Sequence, residues 1–214
     1  MPASVSDAGT SAPETPGSGG TGGFSALDDG GGHGGGGVFG DPARFGLLAF
    51  LGTVSMLFVG FTSAYIVRRS SADWRPIGAP VLLWLNTALL VASSLTLESA
   101  RRRLSAWDLR AARDRVVATG ALGVLFVAGQ LLAWRQLAVR GVYLASNPHS
   151  SFFYVLTGLH AVHLAGGLVW LTLVLSRFAR MTLTPGQDGL RLFATYWHFL
   201  GGLWIYLVLL LFVF

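Results

Sequence analysis

The chain has 214 residues, 52% hydrophobic and only 12% charged, with a net charge of +5 and no cysteine. A water-soluble domain carries about 25% charged residues, so this composition points to a membrane protein rather than a large soluble core. The missing cysteine excludes disulfides, thiolate metal sites and thiol chemistry, and the arginines sit at the ends of apolar runs, which argues against nucleic acid as a partner.

Residues 1 to about 40 are glycine-rich and almost free of apolar side chains. Such a segment cannot offset its ordering entropy by burial. The sequence therefore predicts a flexible, disordered tail, with His33 solvated within it. It shows no basic segment followed by an apolar core, so no signal peptide is expected and the first span serves as the insertion signal. Residues 41–214 are expected to form one all-α, multi-pass transmembrane bundle of five spans.

The first span is predicted from about Phe45 to Val67, closed by Arg68 and Arg69. Its length suits a crossing of roughly 20 residues, and Gly46, Gly52, Ser55, Gly60 and Ala64 suit close helix contact in lipid. The second runs from about Pro80 to Leu97, where Glu98 and Arg101, Arg102 and Arg103 end it. The linker up to Arg115 is expected to set topology and to meet anionic headgroups. The third spans about Val116 to Leu137 and carries Gln130. A polar loop over 138–150 follows, in which Asn147-Pro148-His149-Ser150 reads as a turn and helix start. The fourth spans about Ser151 to Leu175 and the fifth about Leu190 to Phe214.

Charge sets the orientation. With the N-terminus in the cytoplasm, ten arginines lie on cytoplasmic segments: Arg44, the six between the second and third spans, Arg177, Arg180 and Arg191. Five lie outside: Arg68, Arg69, Arg75, Arg135 and Arg140. The positive-inside rule then favours a cytoplasmic N-terminus and an external C-terminus.

His160 and His163 are the first candidates for chemistry. Three residues apart, they share a helix face, and a polar ring in a span turns to the protein interior. One reading is a haem or metal site; the simpler one is interhelical hydrogen bonding. Two histidines at this spacing cannot be the two axial ligands of one haem, because those lie on opposite faces of the ring. Tyr196-Trp197-His198 reads either as a relay or as a polar cluster holding the last helix. A relay needs ionisable groups across the membrane, and the span interiors offer no Asp, Lys or Arg. Glu98 is expected to pair with Arg101 or Arg102 at helical spacing. Asn86, Thr87 and Gln130 are expected to bond neighbouring helices. No complete catalytic set emerges, which leaves an accessory membrane subunit or a small transporter.

Three motifs in order carry a resemblance. The stretch from Ser151 to Gly167, with Gly158-Leu159-His160 and His163, resembles the G-L-H-x-x-H span of subunit III of haem–copper oxidases. Tyr196-Trp197-His198-Phe199 with Trp204 resembles that family's last helix, and Leu85-Asn86-Thr87 followed by Ser93-Ser94 is similar to its L-N-T segment. The resemblance covers about residues 44–214 and matches a shorter, five-helix form of a family that often has seven spans.

This resemblance implies a non-catalytic subunit of a respiratory, proton-pumping cytochrome c oxidase in the bacterial plasma membrane. It would pack with oxidase subunits I and II, which hold the haem and copper, carry no haem or metal itself, and bind phospholipid in a cleft. It leaves membership of a respiratory supercomplex open. The equivalent subunit of a quinol oxidase or of a nitric oxide reductase system would share the fold. A small transporter or haem-bearing membrane cytochrome is the reading from a different class; a transporter would show internal repeats and broken helices, and the sequence has neither. Three positions depart from the family pattern. Val54 and Gly201 stand where relatives carry acids, and Arg191 where some carry Glu, so a proton-uptake role through those carboxylates does not transfer.

Overall fold

The structure is a computed structural model that describes residues 42–78, 80–180 and 188–213. The glycine-rich segment read as a flexible tail lies outside these residues, as does most of the loop around Pro185. Five helices follow in order: α1 (Pro42–Arg69), α2 (Val81–Ser105), α3 (Leu109–Val139), α4 (Pro148–Ala179) and α5 (Asp188–Phe212). Each is long and apolar enough to cross a membrane, as the five apolar runs predicted.

The ends differ from expectation at one place above all. The arginine-rich segment after Leu97 is helical on both sides of a three-residue turn. α2 continues to Ser105 and α3 starts at Leu109, seven residues before its apolar run. Buried Ala100 and Leu104 on α2 and Ala112 and Val116 on α3 explain this. They continue the apolar stripe at a spacing of four, so the two helices keep packing after their exposed faces become charged. The turn is closed by the Asp108 carboxylate, which caps α3 by accepting from the Ala111 N–H at 3.1 Å.

α4 starts where the sequence placed it, within a residue or two. Asn147 is the N-cap and Pro148 fills the first turn. Asn147 Oδ1 accepts from the Ser150 N–H at 3.1 Å, and Ser150 Oγ accepts from the Asn147 N–H at 3.2 Å. This reciprocal pair satisfies two donors that a helix start leaves free.

Helices α2 to α5 form a four-helix ring. α2 and α3 make the most extensive pair, α3 packs on α4, α4 on α5, and α5 closes the ring on α2. The diagonal helices meet through large rings: Phe126 of α3 lies edge-on to Trp204 of α5, with centroids 4.8 Å apart. α1 stands outside this ring. It packs on α4 and α5, and among the described residues on neither α2 nor α3.

Candidate functional site

The interior of the ring is built in polar layers, each drawing one side chain from several helices. The deepest layer contains Asn86 of α2, Gln130 of α3 and His160 of α4, all buried. Asn86 Nδ2 donates to Gln130 Oε1 at 3.4 Å. Gly129 makes room for this pair, since a methyl group there would collide with Asn86 Oδ1. His160 packs against both the Phe126 ring (5.9 Å) and the Trp204 ring (5.2 Å). Its two ring nitrogens have no hydrogen-bond partner among the described residues.

The next layer joins α2, α3 and α5. Trp197 Nε1 donates to Ser93 Oγ at 3.0 Å, and one layer away Trp204 Nε1 donates to Thr87 Oγ1 at 3.0 Å. Thr96 and Thr119 share a hydroxyl bond of 2.9 Å between α2 and α3. On the far side of α3, Trp134 Nε1 donates to Thr157 Oγ1 of α4 at 3.2 Å. A buried polar group is stabilising only when bonded, and in a helical bundle the available partners are on the neighbouring helix.

The expected interhelical hydrogen bonds of the histidines take a different form. His163 Nδ1 bonds the Leu159 carbonyl of its own helix at 2.7 Å. The α4–α5 bond at this level comes from Tyr196, whose hydroxyl donates to the His163 carbonyl at 2.7 Å. The His163 ring faces α1 instead, 6.3 Å from Phe50 and 6.1 Å from Phe58. Val54 lies one turn from each of these rings and is buried, so this position is part of an apolar wall.

His198 lies apart from the other two histidines. It is exposed on α5 and lines a cleft of about 220 Å³ between α2 and α5, with Leu90, Ser94, Gly201 and Ile205. Glu98 pairs with Arg101 at 2.8 Å and with Arg102 at 3.5 Å, as helical spacing predicted. Among the described residues no group of three or more His, Asp or Glu side chains stands close enough to hold a metal ion.

One important histidine was legible only as part of a turn. His149, buried at the start of α4, accepts at Nδ1 from the Ile77 N–H (2.9 Å), and its Nε2 bonds the Leu211 carbonyl near the end of α5 (3.0 Å). Trp74 and Phe212 enclose its ring. Nearby, Arg68 and Asp73 pair at 2.7 Å on the rim of an open groove. Hydrogen bonding from Ser71 chiefly holds the Asp73 carboxyl below the usual carboxylate range, and the Arg68 guanidinium adds to this.

Known proteins are similar to this chain in sequence. The family model described as "Cytochrome c oxidase subunit III" matches residues 37–214. A cytochrome c oxidase subunit 3 of Synechocystis sp. is 32% identical over 180 residues, covering 81% of this chain and 76% of the relative. That of Thermostichus vulcanus is 32% identical over 174 residues, covering 78% and 85%. Among the motif residues that carried the resemblance, Thr87, Ser93, Tyr196, Trp197 and Trp204 form bonds that tie α2 and α4 to α5. With the family model matching residues 37–214 and relatives 32% identical over most of the chain, the chain belongs to the cytochrome c oxidase subunit III family.

Proposed function

We propose that this chain is the helical scaffold of a cytochrome c oxidase, packed beside the catalytic subunit I and in one complex with subunit II. The haem and copper reside in those partners, and this chain sustains their turnover without reacting itself. The observation that carries this reading is the use of the family motifs. Thr87, Ser93, Tyr196, Trp197 and Trp204 all form bonds between helices, so the most distinctive residues hold a shape.

The α2–α5 cleft supports the lipid part of the reading. Its walls are mostly apolar and include His198, which suits an acyl chain with a polar group beside it. The arginine count supports a plasma-membrane orientation with the α2–α3 turn in the cytoplasm and the end of α5 outside. Val54 and Gly201 argue against proton delivery through acids at those positions.

Mild extraction followed by mass spectrometry of the co-purifying chains tests the proposal. Recovery with a haem–copper catalytic subunit is expected, together with a subunit II carrying a dinuclear copper site. Consistent recovery as a free homo-oligomer would overturn it. The chain purified alone is expected to show no Soret band, and a stoichiometric haem would count equally against the scaffold reading.

A further inference from the structure

The turn between α2 and α3 carries a feature that the bundle does not require. Trp107 has φ of +61°. Backbone in that region is unfavourable for a residue with a bulky side chain and is normally given to glycine or asparagine. Trp107 holds it because its N–H donates to the Leu104 carbonyl at 3.0 Å and its carbonyl accepts from the Leu109 N–H at 3.1 Å. Yet the side chain is 68% exposed. Among the described residues its indole stacks on no ring and makes no hydrogen bond. A glycine would satisfy this turn at lower cost, so the fold gives no reason for the tryptophan.

The surroundings are cationic. Arg102, Arg110, Arg113 and Arg115 are exposed on the two helices that lead to and from the turn, with Asp114 exposed among them, so arginines outnumber acids there. Arg103 pairs with Asp108 at 3.6 Å, which fixes the base of the tip.

Height separates the two classes of partner. The apolar runs end at Leu97 on α2 and begin at Val116 on α3, while the helices continue to Ser105 and from Leu109. At a rise of about 1.5 Å per residue these extensions lift the tip roughly 10 Å beyond the hydrocarbon edge. The headgroup layer on one side of a bilayer is only about 5–7 Å deep. Trp107 therefore overshoots the interfacial belt where membrane tryptophans normally anchor. A large apolar ring in water, held at strain with Arg102, Arg103 and Arg110 at the same height, matches the residue types that dominate protein–protein contacts.

We propose that the α2–α3 tip docks, through Trp107 and the flanking arginines, an acidic water-exposed segment of a neighbouring oxidase subunit. The proposal rests on the oxidase reading given above and names a contact surface within it. Opposite charge steers the encounter and the indole anchors it.

The test uses the intact complex. Trp107→Gly relieves the backbone and removes the anchor. It is expected to leave the helical thermal transition unchanged or raised, while retention of the chain in the complex after a salt wash falls by about tenfold. The double variant Arg102→Gln, Arg110→Gln should lose retention similarly. A photo-crosslinking phenylalanine analogue at position 107 should give an adduct on an Asp- or Glu-rich segment of another subunit, with a yield that falls as salt rises. Wild-type retention by both variants overturns the proposal, as do adducts confined to lipid or to a segment without acids. Absence of any haem–copper subunit beside the unaltered chain overturns the oxidase reading itself, and the docking contact with it.

Discussion

Trp204 donates its indole N–H to the Thr87 hydroxyl at 3.0 Å, and Trp197 repeats the contact two turns away with Ser93. Two indoles on one face of α5 thus key the last helix to the second. The register between these helices, 117 and 104 residues apart in sequence, is set by two directional bonds as well as by apolar packing.

Ser93→Ala is expected to strand the buried Trp197 N–H and destabilise the bundle by ~1–3 kcal/mol. Trp197→Phe in the same background removes the orphaned donor and should recover part of the loss. Thermal unfolding of the three variants, read as a double-mutant cycle, measures the coupling. Equal and additive losses would show that the bond contributes nothing.

Glycine substitutions should rank by what the new methyl meets. Gly129→Ala drives a methyl into Asn86 Oδ1, a short side chain already engaged with Gln130, and a loss of about 2 kcal/mol is expected from such overpacking. Gly120→Ala meets only the far end of Leu171, which can rotate away, so its cost should be clearly smaller. Thermal inactivation of the two purified complexes tests the order.

His149→Phe keeps an aromatic ring among Trp74 and Phe212 but removes both hydrogen bonds. The Ile77 N–H and the Leu211 carbonyl lose their partner, and a loss of ~1–3 kcal/mol is expected for each group that stays buried. Hydrogen exchange is the sharper readout. The Ile77 amide should exchange faster in the variant, while amides in the middle of α3 keep their protection.

Glu98→Gln should change little. The carboxylate is 37% exposed and so is its main partner Arg101, and exposed ion pairs contribute ~0–1 kcal/mol. Oxidase turnover in the variant should match the unaltered complex. A large fall in turnover would show that Glu98 handles protons rather than topology.

The number of helices was legible because each apolar run is long and is closed by charge. Their full extents were not, because an apolar run stops at its first charged residue while the helix continues. The signal was present in Leu97, Ala100 and Leu104 on one side and Ala112 and Val116 on the other, which keep helical spacing through the charged region. The pairing of Glu98 was readable since it is local. His149 was not, because its partners at 77 and 211 are brought to it only by the fold. The histidine spacing correctly placed His160 and His163 on one helix. It could not show that one would be enclosed by aromatic rings and the other turned toward α1.

The position of α1 has a consequence for how the protein is made. Its packing partners are α4 and α5, which are made after it and after α2 and α3. At about 5–20 residues per second, α1 waits roughly 7–30 s in the bilayer before its neighbours exist. During that time Phe50 and Phe58 have no His163 or Tyr196 to meet. A carboxylate at Val54 would have to endure this interval unpaired. An apolar residue there lets the first helix wait without penalty.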